Sequence, residues 1–480
     1  MGKKSNFANK NSAPVSIGQT IMVTVLRLGF RGEGVARHEG FTVFVEGILP
    51  GEIAKVRVVE VKANFARAEM LELVEESLDR MMPPCPVFAV CGGCQVQHMT
   101  YDAQINWKRQ LVVDALVRVG HFAAELVEGM VEPVKRMDVP WRYRNKVTML
   151  AAPRGEGFVA GFVEEGTHEP VALSECLIRP KMQDELVNSL VELLVRKGVA
   201  AFDEATGRGL VRQIRVRSTI RGDAMVVITA VASLHDAQVL AEAIAQIHLS
   251  AGRVVSVIEE VVPLAQNSRQ VSSIQERVLW GAPELIETIM GLDFYVSAQS
   301  FLQVNATQTE VLYQTALELA NLAGQETVID LYAGIGTLSL VAAKRSGRVY
   351  GVESVLAAVN DAKRNCELNN THNAEFYLGR SEEVLPRLVR QGMVADVVML
   401  DPPRAGCQIE VIEAMVATGA SRIVYVSCNP ATLARDLARL VERGYQLERV
   451  VPVDVFPQTF HVETVVLITR LLSPTEFSTS

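Results

Sequence analysis

From residue 325 to residue 470 the chain alternates apolar, strand-like runs with helix-like runs, and few folds accept that order. The strand-like runs are 327–332, 348–353, 374–378, 395–400, 422–427, 446–455 and 464–469. Helical stretches at 337–345, 355–369, 382–391 and 408–417 separate the first five, and 431–443 follows the fifth. Strands that are apolar almost throughout need cover on both faces, which implies a parallel, doubly wound, Rossmann-like sheet with helices on either side. Such sheets bind ligands beyond the carboxyl ends of their strands.

Upstream, 14–76 reads as a small closed barrel. Short runs rich in Val, Ile and aromatic residues (21–27, 41–45, 53–61, 66–73) are punctuated by Gly29, Gly32, Gly34, Gly40, Gly47 and Pro50-Gly51. Between barrel and sheet, 77–298 reads as a central α/β domain. It has helices at 101–119, 182–196 and 237–248 and strands at 213–217, 224–230 and 254–261. Residues 1–13, polar with Lys3, Lys4 and Lys10, are expected to be a flexible basic tail rather than a secretory leader. The expected division is therefore 1–13 tail, 14–76 barrel, 77–298 central domain and 299–480 sheet domain.

No window approaches 18 consecutive apolar residues, so no membrane span is expected. Seven cysteines are too few for a disulfide scaffold of this length and suggest reduced thiols or a metal site, hence a cytosolic location. The net charge of −8 argues against a nucleic-acid partner. Local composition argues the other way. Lys135, Arg136, Arg142, Arg144, Lys146 and Arg154 crowd one stretch, and five arginines with no acid lie between Gly207 and Arg221. Arg215 and Arg217 flank Val216, which sets both on one face of a strand and suggests a phosphate-binding groove.

Asp330-Leu331-Tyr332-Ala333-Gly334-Ile335-Gly336-Thr337 closes the first strand and opens a helix, a turn in which glycines admit a ligand close to the backbone. Ser339 stands where a dinucleotide fingerprint needs a third Gly or Ala. Glu353 ends the second strand, where a carboxylate can accept from ribose hydroxyls of either a dinucleotide or an adenosyl cofactor. Asp401-Pro402-Pro403-Arg404 ends the fourth strand with a rigid carboxylate-bearing edge familiar from methyltransferases.

Ser427-Cys428-Asn429-Pro430 ends the fifth strand. Asn429 is a good helix cap and Pro430 a good first helical residue, so Cys428 sits at a helix N-terminus that favours a thiolate. Such a thiol suits pyrimidine chemistry. C5 of uracil is a poor nucleophile until a thiolate adds at C6, and a base must later remove the C5 proton. Glu463, just before the last strand, is the candidate base, with His461 as runner-up.

Together, Asp-Leu-Tyr-Ala-Gly-Ile-Gly-Thr (330–337), Asp-Pro-Pro-Arg-Ala-Gly-Cys (401–407), Ser-Cys-Asn-Pro-Ala-Thr-Leu-Ala-Arg-Asp (427–436) and Phe-Pro-Gln-Thr-Phe-His-Val-Glu-Thr (456–464) resemble the TrmA-type RNA uracil-5 methyltransferases. The resemblance covers the last 180 residues, and the N-terminal segment resembles the TRAM domain, an OB-like barrel that binds RNA. It implies S-adenosyl-L-methionine as cofactor, Cys428 as nucleophile, Glu463 as base, and cofactor contacts at Gln303, Tyr332, Glu353 and Asp401. It also implies structured RNA as partner, 23S ribosomal RNA before transfer RNA; the oligomeric state is not legible in the sequence, and a monomer is the favoured expectation.

Cys85-x5-Cys91-Gly92-Gly93-Cys94 has metal-ligand spacing, and Cys176 is the best candidate for a fourth thiolate. The residues alone also permit zinc. With Gln97-His98, Tyr101, Gln104 and Lys108, the motif resembles iron-sulfur members of the same family, which implies a [4Fe-4S] cluster on Cys85, Cys91, Cys94 and Cys176. A non-catalytic RNA-binding protein and a cytosine-C5 enzyme are the competing readings.

Overall fold

The computed structural model describes residues 13–155, 157–263 and 274–471. The expected basic tail lies, but for residue 13, outside them. The described residues form two compact units. The first comprises residues up to Phe88 with Cys94–Trp107 and Gln458–Phe460, and the second comprises the remainder.

The first unit is built on a closed barrel of β1 (Thr20–Leu28), β2 (Gly34–His38), β3 (Phe41–Val45), β4 (Ile53–Val61) and β5 (Phe65–Glu75), in the order β1-β2-β3-β5-β4. Alternate residues point inward, so Val23, Val25, Val43, Val45, Val56 and Val58 fill the interior. β2 was not among the expected strands because its start is a glycine. That glycine is required: a Cβ on Gly34 would stand 2.3 Å from Ile48 Cγ2. The closed OB-like barrel expected from the glycine-punctuated runs is present.

In the second unit, α1 (Tyr101–Arg118, whose first turns belong to the first unit) and α2 (Ala124–Met130) precede a six-stranded sheet. Its strands are β6 (Lys146–Arg154), β7 (Gly157–Gly161), β8 (Val211–Ser218), β9 (Asp223–Ala230), β10 (Arg253–Val261) and β11 (Gln275–Gly281), ordered β11-β10-β9-β8-β6-β7. The helices α3 (Lys181–Arg196) and α4 (Ala237–Ala245) pack on one face through Leu186, Leu190, Leu240 and Ile244. The hairpin β12 (Glu284–Ile289) and β13 (Leu292–Ser297) and helix α5 (Ala306–Ala320) lead into the larger sheet.

That sheet contains, among the described residues, β14 (Thr327–Leu331), β15 (Arg348–Glu353), β16 (Ala374–Leu378), β17 (Val397–Leu400), β18 (Arg422–Ser427), β19 (Tyr445–Val453) and β20 (Glu463–Arg470), ordered β16-β15-β14-β17-β18-β20-β19. The intervening helices are α6 (Thr337–Ala343), α7 (Leu356–Leu368), α8 (Ser381–Arg390), α9 (Ile409–Ala417) and α10 (Pro430–Val441). Successive strand residues feed opposite layers. Val328, Val397, Met399, Val424 and Val426 pack with α5, α6 and α7. Ile329, Val398, Leu400, Ile423 and Tyr425 pack with α8, α9 and α10. Burial on both faces is why these strands read as unbroken apolar runs, each such side chain contributing about 1.5–3 kcal/mol.

The expectation of a wholly parallel sheet needs one correction. β14 to β18 are parallel, but β20 pairs antiparallel with both β18 and β19. Period and composition do not distinguish an antiparallel edge from another parallel strand. The connections do: the link from β19 to β20 holds no crossover helix, so β20 returns beside β19 in the opposite sense.

A candidate active site at the rim of the larger sheet

Strands β14, β15, β17 and β18 all end at one rim, and the residues just beyond them are the ones the motifs singled out. Tyr332 follows β14 in a left-handed conformation, φ 64°. Its hydroxyl points to Cys407 Sγ at 4.0 Å. Glu353 closes β15 and accepts from the Gly334 amide (3.0 Å) and the Val355 amide (2.8 Å), which ties it to the glycine turn. Asp401 follows β17 and accepts from Gln303 Nε2 at 3.4 Å. Gln303 is itself held by its neighbours. Asn145 donates its amide to the Val304 carbonyl, and Asn305 caps α5 while donating to the Val455 carbonyl at 2.8 Å.

Cys428 follows β18, and Asn429 caps α10 by accepting from the Ala431 amide, with Pro430 in the first turn. Glu463 opens β20. Because β20 is antiparallel, its beginning rather than its end lies at this rim. Its paired rungs with β18 run from Arg422–Thr469 to Ser427–Thr464, and one more step in that register sets Cys428 opposite Glu463. Glu463 is 2% exposed, and its Oε2 has no hydrogen-bond partner.

The electrostatics of the site are acidic. Burial pushes Asp401 up to about 7, against the hydrogen bond from Gln303. Burial also pushes Asp330 up to about 7, with Asp401 and Glu353 adding to the rise and Ser339 opposing it. Burial, then the charge of Asp401, raises Glu463 well above the usual carboxylate range, while Arg404 pulls the other way. The Cys428 thiol is pushed up to about 11, by burial first and then by Glu463 and Asp401. The expected low-pKa thiolate at the helix N-terminus is therefore not what this state holds. Lost hydration and two facing carboxylates outweigh the helix end and Arg404.

Asp330, Arg404 and His461 join the four expected cofactor residues and the Cys–Glu pair. Arg404 was signalled by its place in the Asp-Pro-Pro-Arg run. Its Nη2 lies 3.1 Å from His461 Nε2. A guanidinium has only donors, so Nε2 is the acceptor and the ring is neutral. Burial, then Arg404, Lys108 and Arg144, lowers the His461 pKa to about 4, in agreement. Engaged in this way, His461 is a poorer base than Glu463, whose Oε2 is unengaged.

The buried acids give a physical test for an S-adenosylmethionine site. A rim crowded with carboxylates, one of them with a bare buried oxygen, fits a cationic adenosyl cofactor, and the glycine turn at 334–336 leaves room for it. A Cβ on Gly334 would meet nothing within 4 Å.

The four motif cysteines behave differently. Cys85 and Cys176 are buried, Cys91 and Cys94 half-buried. Cys85 and Cys94 belong to the first unit, Cys91 and Cys176 to the second. Among the described residues, no three or more His, Cys, Asp or Glu side chains are grouped so that they could hold a metal ion.

Among the described residues, no helix is long and apolar enough to cross a membrane.

The chain is similar to known RNA methyltransferases. The family model described as tRNA (Uracil-5-)-methyltransferase matches residues 182–471, and that of the TRAM domain matches residues 14–71. An uncharacterized RNA methyltransferase of Halalkalibacterium halodurans is 42% identical, covering 96% of this chain and 99% of that protein. Another, of Bacillus cereus, is 41% identical over 97% of this chain and 100% of that protein. Among solved structures, the Pyrococcus abyssi tRNA (uracil-54, C5)-methyltransferase in complex with S-adenosyl-L-homocysteine superposes with a TM-score of 0.73 at 27% identity. It covers 94% of this chain and 100% of that one.

Proposed function

The chain belongs to the S-adenosylmethionine-dependent tRNA (uracil-5-)-methyltransferase family and carries a TRAM domain; from that premise we propose that it methylates C5 of a specific uridine in 23S ribosomal RNA through covalent addition of Cys428. The observation that carries the reading is the opposition of Cys428 and Glu463 across the β18–β20 register beside Asp401.

The target uridine leaves its stack to reach the rim. The Cys428 thiolate attacks C6 and forms an S–C6 bond, and the C5=C6 electron pair moves toward C5 and O4. S-adenosylmethionine would be held by Gln303, Tyr332, Glu353 and Asp401 and would supply a sulfonium methyl, which C5 would take with its electron pair as the sulfur–methyl bond breaks and the neutral thioether leaves. Ionised Glu463 then takes the C5 proton, the C5=C6 bond re-forms, and the S–C6 bond breaks to return the Cys428 thiolate. Arg404, held by His461 Nε2, is the nearby cation that favours the ionised forms of both Cys428 and Glu463.

The TRAM barrel, 14–76, serves as an RNA-binding module, 77–298 as a central domain and 299–480 as the catalytic domain, in a cytosolic, monomeric enzyme. The preference for ribosomal RNA rests on the cysteine motif alone. Transfer RNA is the second reading, favoured by the Pyrococcus abyssi structure, whose protein acts on uracil-54 of tRNA. Mapping 5-methyluridine across ribosomal and transfer RNA, with and without the gene, decides between them. Unchanged maps in both would defeat the proposal.

The iron-sulfur reading stands on sequence spacing only, and no step above runs through it. Iron and sulfide assay of anaerobically purified protein tests it: about four of each per chain supports a cluster, and zinc without iron excludes it.

A further inference from the structure

The two basic stretches noted in the sequence converge. β6 and β8 pair antiparallel with Lys146 opposite Arg217 and Thr148 opposite Arg215. Their alternate residues, Val147, Met149, Ile214 and Val216, enter the core beneath α3 and α4. The cations therefore share the opposite face of the six-stranded sheet. Arg144, just ahead of β6, lies with its guanidinium 5.7 Å from the Phe162 ring centroid.

Most buried cations in folded chains are neutralised by an acid. Arg215 obeys, with Nη1 and Nη2 3.2 and 3.1 Å from the two oxygens of Glu260. The others do not. Arg217 is 5% exposed, its Nη2 donates to the Ser300 carbonyl at 2.8 Å, and its Nη1 is buried with no acceptor. Among the described residues, the Lys146 ammonium makes no ion pair. Its charged form is opposed by burial and by Arg217, Arg215 and Arg144, with only Glu260 in favour, and its pKa falls to about 8. Glu287 is the acid that acts on Arg217, and burial raises its own pKa.

This excess of positive charge borders the reactive rim. Arg215 and Arg217 donate to the carbonyls of Ala298 and Ser300, and Gln303 follows three residues later. Arg144 is also close enough to depress the His461 pKa.

We propose that Lys146 and Arg217, with Arg144 beside them, form a subsite for one phosphodiester of the RNA strand that carries the target base. The inference rests on the reading of the chain as an RNA methyltransferase and adds the place where the backbone is gripped. A phosphate oxygen supplies the counter-charge that half-buried Lys146 lacks, while Arg217, buried behind it, adds positive potential without touching the phosphate.

The test is the salt dependence of binding to a uridine-rich single-stranded RNA of about a dozen nucleotides. Lys146→Gln should weaken binding and reduce the slope of log K against log salt by about 0.7, one single-strand phosphate contact. Lys146→Arg should restore most of both. Lys344→Gln, the same charge change at the end of α6, is the control and should leave the slope unaltered. Equal slopes for wild type and Lys146→Gln, or equal losses for the position 146 and position 344 variants, overturn the subsite. Covalent trapping by RNA containing 5-fluorouridine is scored in parallel on wild type, because it reports on Cys428 and not on Lys146. Failure of trapping removes the proposed function, whereas trapping with an unaltered Lys146→Gln slope removes only the subsite.

Discussion

Cys428 and Glu463 stand opposite one another one step past the last paired rung of β18 and β20, Ser427–Thr464. Thirty-five residues apart in sequence, they come together because β20 runs back along β18. One supplies the sulfur and the other an oxygen that no other group engages. If the two share one uracil ring, their losses should differ in kind. Cys428→Ala should abolish the covalent complex with 5-fluorouridine RNA and cut methylation by more than about a thousandfold. Glu463→Gln should retain adduct formation yet slow turnover by about 10²–10⁴-fold, because proton removal is the step it serves. Adduct retention by the Cys428 variant, on denaturing gels, would end the assignment.

The raised pKa values give the pH profile a direction. Asp401, near 7, and Glu463, well above the usual range, are protonated at low pH, and Cys428, near 11, is a thiol. All three must lose protons for the chemistry, so kcat/KM should climb as pH rises from 6 to about 9. A profile flat over that span, or one falling from pH 6, contradicts the acidic site.

Stability should move the opposite way. In the folded state Asp401 and Asp330 bind protons more tightly than in the unfolded chain, so stability is full below the unfolded values near 3.8 and declines as pH rises through about 7. Asp401→Asn removes one of these groups. Its melting temperature at pH 8 should exceed that of wild type by a few degrees, at about 2–4 °C per kcal/mol, with a smaller gain at pH 5. Calorimetry in the absence of cofactor measures this. The same variant should lose S-adenosylmethionine binding, since it discards a charge the sulfonium is proposed to meet.

Lys108 and Asp454 form a salt bridge of 2.5 Å with both side chains fully buried, and Lys108 also donates to the Phe456 carbonyl at 2.9 Å. The pair anchors the segment that leaves β19 toward Glu463. Lys108→Met strands a buried carboxylate and should cost about 3–5 kcal/mol. Adding Asp454→Asn should recover a substantial part, because the uncompensated charge is then gone. A denaturant-unfolding double-mutant cycle with additive losses would show that the pair is not coupled.

Much of this fold was legible in one dimension. The strands 348–353, 374–378, 422–427, 41–45 and 53–61 occur with the expected ends, because sheets covered on both faces leave long apolar runs and barrel strands leave alternation. Asn429-Pro430 signalled the start of α10, because capping is a local interaction between neighbours. The hairpin β12–β13, helix α5 and strands β2, β6, β7 and β11 were not anticipated. Short or glycine-bearing segments carry a weak period, and their partners lie far along the chain.

What the sequence by itself determined was the order of strands and helices and the chemical character of the residues at each strand end, since both follow from local periodicity and side-chain type. The tertiary structure decided three things that no local pattern encodes. The antiparallel return of β20 brings Glu463 to Cys428, where a parallel strand would have carried it to the far rim. The burial of Cys428 itself, with Glu463 and Asp401 beside it, reverses its expected thiolate character, because pKa depends on solvation and neighbours rather than on sequence position. And the pairing of β6 with β8 gathers cations some seventy residues apart on one face, because strand register, set by long-range packing, chooses which charges meet.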